Sequence, residues 1–391
     1  MTPKSQSQLL KDLDLLVGTG MGIAPIAPAL CSLLSKIVGA EAGGICWFSE
    51  SGAPEGFYQQ GSSREVEELF MNHYEELFVG PHEYTPFWSV RNSGRGVGHG
   101  WLASKEYLRS NTYNLLIKPN HWQFLLDVVV EVADVPRFSA CFFRSVQNPF
   151  TQADAKKLTG LIPTLRRIFN RHSNPLVMQS KTTEGGYMLI SKDGLQVEMI
   201  DAAARQLLST IRLFDQNVSI ARQSSEPPRF VQLLCKQLGL QNAANTKTEI
   251  ALAGGTLVAI AKWLTSTPQM MATKFGGETE TSVLPNKKIL VSVHFKPAGA
   301  IDVVHGISAM GLSPLQGRIA MYAAAGGSRT NCALNHRVSN EAPKKRLREI
   351  YAASSCADWH ELTAMLRETD VTLKAAFLQS PPLNAASPCQ L

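Results

Sequence analysis

A chain of 391 residues is longer than one hydrophobic core usually supports, so we expect two or three domains. Its 44% hydrophobic and 18% charged residues are typical of a soluble globular protein and exclude fibrous and intrinsically disordered classes. The net charge of the chain is +6, and residues 312–348 alone carry +6, from seven basic residues and one acidic residue. Such a basic segment indicates either a nucleic-acid-binding site or a solvated basic face.

The cysteines and the N-terminal residues indicate the compartment. Seven cysteines are scattered along the chain and form no cluster with metal-ligand spacing, so we expect reduced thiols, no metal site and a cytoplasmic location. Asp12 and Asp14 stand where a signal peptide would need an apolar run. Pro25 and Pro28 interrupt the uncharged stretch over 18–35, which therefore predicts a buried helix and no membrane association.

In chain order, the first half predicts a sheet with flanking helices. The segments "GGICWFSESG", "WQFLLDVVVEVAD" and "RFSACFFRS" have the composition of strands, and a "DVP" turn joins the last two. A long amphipathic helix follows to about His172, with Thr151 and Asp154 at capping-box spacing. We therefore predict an α+β domain over 1–173 with an antiparallel sheet, followed by a linker over 174–185.

A second α+β unit is predicted over 186–310. Its first strand meets a turn at Asp193-Gly194, and Asp201 can cap a helix. The strand between them alternates polar residues with the apolar Leu195, Val197 and Met199. Further strand candidates are "EIALAGGTLVAIAKWL" and "KKILVSVHF", and "AGAIDVVHGISAM" predicts a helix. Neither unit has the strand and helix alternation of a doubly wound fold, so mainly antiparallel sheets are expected.

No catalytic set of residues is evident, and we predict a protein that is not an enzyme and needs no cofactor. The glycine-rich run "NSGRGVGHGW" has His99 where a dinucleotide fingerprint needs glycine, so it predicts a loop. "HELTA" has Ala364 where a zinc-protease helix needs its second histidine. A small-molecule enzyme in the region of the two α+β units stays an alternative, which would require a convergent polar cluster in a pocket.

The C-terminal segment divides into four short helical stretches. Ser313 can cap the first, which has Pro314 at its first position and ends at Gly326. The caps of the next three are Ser328, Ser339 and Asp358. The segment therefore predicts a small all-α domain over 311–370, followed by a flexible tail over 371–391.

The third of these stretches is an amphipathic basic helix. Its apolar face should pack on the neighbouring helices and consists of Leu347, Ile350 and Tyr351. Lys345 points nearly opposite. Pro343 falls on the apolar side: it removes an intrahelical hydrogen bond if Ser339 caps the helix, and it takes the favoured first position if Ala342 is the boundary.

Several short motifs follow one another along the chain. In the C-terminal segment they are "LSP", Gly326, Ser328, Val338-Ser339, Ile350-Tyr351 and "HEL" at His360. Their order resembles the helix-turn-helix domain of LuxR-type transcriptional regulators. Upstream, "YLRSNTYNLLIKPNHWQFLLDVVV" and "FTQADAKKLTGLIPTLRRIF" resemble segments of the GAF-like sensor regions of some members, and "GLQVEMIDAAARQLL" resembles a PAS-like piece. The resemblance implies a GAF-like domain, a PAS/GAF-like domain and a four-helix helix-turn-helix domain.

The resemblance also implies a function. The chain would be a homodimeric transcriptional regulator that binds double-stranded DNA, with a recognition helix over about 339–353 and a small-molecule or protein effector at its sensor domains. The residues it places at base or phosphate contacts are Arg329, Lys344, Lys345, Arg346 and Arg348. "WHELTAMLRE" is a candidate dimer contact. The alternative is a sensor or adaptor whose degenerate helix-turn-helix binds protein instead of DNA, which His336 and Pro343 favour.

Overall fold

The structure is a computed structural model that describes residues 5–63, 105–145, 147–169, 185–209, 226–241, 244–265, 287–332 and 341–367, together with 65–66, 69–70, 73, 77, 83 and 211. Most of the predicted linker, the glycine-rich run and the C-terminal tail lie outside these residues. Within them, none of the helices is long and apolar enough to cross a lipid bilayer.

The first part of the chain forms an antiparallel sheet with helices on one face, as the sequence predicts. Its elements are α1 (Gln6–Val17), α2 (Ile23–Val38), β1 (Ala42–Phe48), β2 (Pro54–Gln60), β3 (Phe124–Val132), β4 (Val135–Arg144) and α3 (Gln152–Arg166). The strand order is β2-β1-β4-β3, with α2 and α3 on one face. The predicted buried helix is confirmed as α2, while β2 is an additional strand that the sequence did not indicate.

Local signals explain two features of this sheet. Val132 pairs with Val135, so that Ala133 and Asp134 alone form the turn between β3 and β4. Both turn residues have positive φ, 52° and 60°, which is the geometry of a two-residue hairpin whose twist matches that of its strands. Helix α3 begins with the predicted capping box, in which Thr151 Oγ1 accepts a hydrogen bond from the backbone N–H of residue 154.

Arg144, the last residue of β4, joins three elements at one corner of this unit. Its side chain is buried and donates hydrogen bonds to the carbonyl oxygens of Val38, Gly39 (2.9 Å) and Pro149 (3.1 Å), and to the Asp154 carboxylate (3.3 Å). The carbonyl groups of Val38 and Gly39 lie at the C-terminal end of α2, where the last carbonyl oxygens of a helix have no intrahelical donor. The Arg144 guanidinium therefore donates hydrogen bonds both to carbonyl oxygens at the end of α2 and to the Asp154 carboxylate at the start of α3.

The second part of the chain forms another antiparallel sheet, again as predicted. Its elements are β5 (Gly185–Ile190), β6 (Val197–Ile200), α4 (Ala202–Ser209), α5 (Arg229–Gln241), β7 (Asn245–Leu252), β8 (Gly255–Thr265), β9 (Lys287–Pro297) and α6 (Ala300–Ala309). The strand order is β6-β5-β9-β8-β7, and every neighbouring pair is antiparallel. Asp201 caps α4 as expected, because its Oδ1 accepts the backbone N–H of Ala204 at 2.7 Å.

Three details of this sheet differ from the sequence prediction. The segment predicted as one strand candidate folds as the hairpin of β7 and β8, which turns at Gly254 with a φ of +82°. Helix α5 was not predicted. Leu195 lies outside β6 and is 55% exposed, and Met199 is 57% exposed, whereas Val197 and Ile200 of the same edge strand pack against the core.

The C-terminal segment is helical, with α7 (Pro314–Ala324), α8 (Glu341–Ser354) and helical residues 359–367. Ser313 and Gln316 form a capping box at the start of α7, and Gly326 has the positive φ expected after a helix end. Asp358 caps the last helix through the backbone N–H of Glu361. One continuous cluster of buried side chains includes residues from both sheets and from these helices, so the core crosses the predicted domain boundaries.

Candidate nucleic-acid interface

Helix α8 packs on α7 through its apolar face. Leu347 and Ile350 are 3% and 0% exposed and belong to the same buried cluster as Ile319 of α7. Gln316 of α7 adds a polar contact, since its Nε2 donates a hydrogen bond to the Glu349 carboxylate at 2.5 Å. The structure therefore confirms the predicted packing face, and α7 fixes the rotation of α8 about its own axis.

The opposite side of α8 carries exposed positive charge. Lys345 and Arg348 are exposed and form no ion pair with the described residues. Arg329 is also exposed and lies close to this helix: burial raises the pKa of Tyr351, and the charge of Arg329 partly offsets that rise. The structure thus brings Arg329 to the helix that presents Lys345 and Arg348.

Arg346 is placed differently from its neighbours. Its Nη1 lies 3.3 Å from the carboxylate of Glu349, the group that also accepts from Gln316, and both charged side chains are about half exposed. An exposed pair of this kind is weak, but it compensates part of the arginine charge. Arg346 should therefore contribute less to a phosphate contact than Lys345 or Arg348. The Lys344 side chain and Arg337 lie outside the described part of the chain.

Pro343 lies within the described part of α8, which begins at Glu341. The residues just before Glu341, including the predicted cap Ser339, lie outside the described part of the chain. The effect of Pro343 on the first turn therefore stays a prediction: it removes an intrahelical hydrogen bond if Ser339 is the cap, and it takes the favoured first position if Ala342 is the boundary.

The last helix packs within its own chain. Leu362 and Leu366 are fully buried, and Trp359 Nε1 donates a hydrogen bond to the carbonyl oxygen of Gly327 at 3.0 Å. Arg367 donates to the carbonyl oxygen of Ala324 at the end of α7. The apolar residues of the "WHELTAMLRE" segment thus stabilise the helical unit itself. A dimer contact through this segment stays a prediction and would use its exposed polar side chains.

The N-terminal helix α1 connects the helical unit to the rest of the molecule. Gly317 of α7 lies against Leu15, because a Cβ added at Gly317 would be 2.9 Å from Leu15 Cδ2. Arg318, also on α7, lies 3.5 Å from the Asp14 carboxylate, which pairs with Arg167 at 2.5 Å as well. The placement of α7 is therefore linked to the end of α3 through a single carboxylate.

Replacing Asp14 by asparagine should loosen this connection. We expect a loss of on the order of 1 kcal/mol in the free energy of unfolding, because both ion pairs are partly solvent-screened. Urea unfolding at low and high salt measures it, with Asp134→Asn in the exposed turn of β3 and β4 as the matched control. Equal stability of the two variants at low salt would show that Asp14 carries no such link.

Comparisons with known proteins do not identify a family for this chain. No protein-family model and no curated protein matches the chain. Among solved structures, it is similar to the ligand-binding domain of the Pseudomonas fluorescens chemoreceptor CtaA in complex with L-isoleucine (13% identity, TM-score 0.18, 75% of this chain and 87% of that chain covered). The same domain in complex with L-leucine gives 12% identity and a TM-score of 0.17, with 75% and 89% covered. Similarity this low indicates neither a shared fold nor a shared ligand.

Proposed function

We propose that this protein is a sensor-linked transcriptional regulator of the LuxR type that binds double-stranded DNA through α8. The orientation of α8 carries this proposal: Leu347 and Ile350 are buried, whereas Lys345 and Arg348 are exposed. A recognition helix needs this division, because one face must pack on its scaffold while the other enters the major groove. Lysine and arginine on the free face supply phosphate and base contacts.

The surrounding helices support the same function. The described elements α7, the turn capped by Ser328, α8 and the last helix follow the order expected for a four-helix helix-turn-helix domain, and most of the predicted second helix lies outside the described residues. Ser354 stands where the resembled family usually has an apolar residue, and it finds a partner, because its hydroxyl donates to the carbonyl oxygen of Ile350 at 2.9 Å. Such a partner removes most of the cost of burying a hydroxyl. The helix can therefore keep its packing despite this polar residue.

In this proposal the two sheets belong to the sensor domains, GAF-like over 1–173 and PAS/GAF-like over 186–310. The protein acts in the cytoplasm as a homodimer, without catalysis or a cofactor, on half-sites about one helical turn apart. An effector bound at the sensor domains would bias DNA binding through α1, which contacts α7 and carries Asp14.

The basic face of α8 is tested by removing its two exposed cations. We expect Lys345→Ala with Arg348→Ala to weaken binding to double-stranded genomic fragments. The slope of log K against log salt should fall by about 0.9 for each phosphate that the variant no longer neutralises. The measurement is a binding titration between about 50 and 200 mM salt. The control, Lys156→Ala with Arg205→Ala, removes one lysine and one arginine from exposed positions on α3 and α4.

Two outcomes contradict the proposal. If the wild type binds no fragment even at the lowest salt, the chain is not a DNA-binding protein, and the adaptor alternative remains. If both double variants lower the slope equally, binding is a property of net charge and not of α8.

A further inference from the structure

Strand β7 (Asn245–Leu252) lies at one edge of the second sheet. On one side it pairs with β8 over its full length of eight residues, without a register shift. On its other side, none of the residues that the structure describes forms a further strand. This outer side is therefore a regular edge of the kind to which another strand can add through backbone hydrogen bonds.

The other three sheet edges have features that hinder such pairing. Strand β6 has only four residues, and β2 begins with Pro54 and has a register shift against β1. On β3, the carbonyl oxygen of Glu131 already accepts a hydrogen bond from Arg166 of α3 at 3.1 Å. Short strands, prolines, bulges and cover by another element are the usual protection of an edge. Within the described part of the chain, β7 has none of these.

The protection that β7 does carry is charge, in the side chains of Lys247 and Glu249. The two residues lie on either side of Thr248, so their side chains point to the same face of the sheet. Lys247 Nζ is 2.6 Å from the Glu249 carboxylate, and both side chains are 50% exposed. Lys296 of β9 lies 4.0 Å from the same carboxylate. The hydrogen bond from Lys247 lowers the pKa of Glu249, so both groups are charged at neutral pH.

This charge pattern is complementary to itself under a two-fold axis. In an antiparallel pair of two β7 strands with Thr248 opposite Thr248, residues equally far from Thr248 in opposite directions face each other. Lys247 of each copy then lies opposite Glu249 of the other. Opposite charges and threonine pairs directly across an antiparallel ladder stabilise it, whereas like charges there destabilise it.

The same pattern selects one register for the pair. An axis through Lys247 would place that lysine opposite its own copy, and an axis through Glu249 would do the same for the carboxylate. An axis through Thr246 or Ile250 would leave Lys247 and Glu249 without an opposite charge. The axis through Thr248 is the one that brings both charge pairs together.

We propose that two copies of this chain associate through β7, with Thr248 on the two-fold axis, so that the two five-stranded sheets join into one antiparallel sheet. The inference rests on the homodimer of the proposed regulator and supplies its interface. Association is measured without DNA, so failure of the DNA titration leaves the interface standing. A DNA-binding protein that stays monomeric would overturn the interface alone.

The first test reverses one charge at a time in the full chain. Lys247→Glu and Glu249→Lys each place two like-charged pairs across the axis, because the symmetry repeats the change. We expect each variant to dimerise about 10-fold or more weakly than the wild type. Sedimentation equilibrium over about 1 to 100 μM measures the dissociation constant. The matched control is Lys156→Glu at an exposed position of α3, which should dimerise like the wild type.

Both reversals should leave the fold intact. Lys247 and Glu249 are exposed, and their neighbours on β8 are Ile260 and Val258, so no charged partner on β8 is lost. Circular dichroism and the urea midpoint of each variant check this.

Mixing the two variants separates charge pairing from a general effect of charge. Lys247→Glu carries two carboxylates and Glu249→Lys two ammonium groups, so a mixed pair has opposite charges at both positions and should regain the wild-type affinity. The double variant, with both changes in one chain, should also dimerise like the wild type. A monomeric wild type over the whole range would overturn the proposal. So would single reversals that dimerise normally, or a mixture that associates no better than its components.

A cysteine on the axis tests the register. Residues directly opposite each other have Cα atoms about 4.5 to 5.5 Å apart, within the range that a disulfide spans. Thr248→Cys should therefore form a covalent dimer when oxidised with copper phenanthroline. In the control Ala251→Cys, exposed on the same strand, the two copies of residue 251 would lie about 20 Å apart, so this variant should cross-link no more than the wild type. Equal cross-linking of the two variants, or none in Thr248→Cys, would contradict the proposed pairing.

Discussion

Replacing Arg144 with alanine is expected to lower the free energy of unfolding by about 3 to 5 kcal/mol, the usual cost of removing one partner of a buried charged pair. The change leaves the carbonyl oxygens of Val38 and Gly39 at the end of α2 without their donor, and it leaves Asp154 with a buried charge. Burial acts to raise the pKa of Asp154, but the hydrogen bonds from Thr151 and then the charge of Arg144 hold it below its ordinary value.

A lysine at this position should restore little of that stability. Lysine keeps the charge, but a single ammonium group lacks the planar fork with which Arg144 reaches several acceptors at once. Guanidinium chloride unfolding measures the three proteins. The matched control is Arg166→Lys on α3, where the exposed arginine makes one hydrogen bond to the Glu131 carbonyl oxygen. A loss below about 1 kcal/mol in Arg144→Ala would mean that surrounding water satisfies these carbonyls.

The pH dependence of stability is the second large effect, and Asp127 is its source. Burial raises the folded-state pKa of Asp127, on β3, to about 7, above the ordinary value of 3.8, so its contribution to stability is fully present below pH 3.8 and is lost as the pH rises through 7. The two pKa values differ by about 3, which corresponds to about 4 kcal/mol. The folded protein should therefore lose stability from this group between pH 4 and pH 8.

Asp127→Asn isolates this effect, because every other titrating group, including Asp154, is shared by the two proteins. The difference in free energy of unfolding between wild type and variant should change by about 4 kcal/mol over that range, with the wild type relatively weaker at pH 8. Urea unfolding at several pH values measures it. A difference that does not vary with pH would show that Asp127 is ionised and stabilised in the folded protein.

The features that the sequence predicts well are those with a local cause. The capping box of Thr151 and Asp154, the cap at Asp201 and the division of α8 into buried and exposed faces each depend on residues within one or two helical turns. Strand β2 gave no such signal, since "PEGFYQQ" begins with a proline and has few apolar residues. This segment is a strand because it pairs with β1 in the antiparallel sheet, a contact that its own residues do not indicate.

The features that the sequence does not reveal depend on distant neighbours. Asp127 interrupts the buried apolar run of "FLLDVVVEV", a local signal that could have drawn attention to it, but only the register with β4 places it beside Cys141. The contact of Arg318 with Asp14 joins residues 304 positions apart. No periodicity or spacing along the chain carries information about such a pair.

The position of α1 has a consequence for how this protein is made. Its contacts with late parts of the chain, such as the hydrogen bond from Gln8 to Ser308 of α6, span 300 residues. At about 5 to 20 residues per second, a ribosome needs roughly 15 to 60 s to produce the second partner after the first. Helix α1 can therefore complete its packing only after about 300 further residues have been synthesised. Until then its apolar face is available to chaperones, or to another nascent chain.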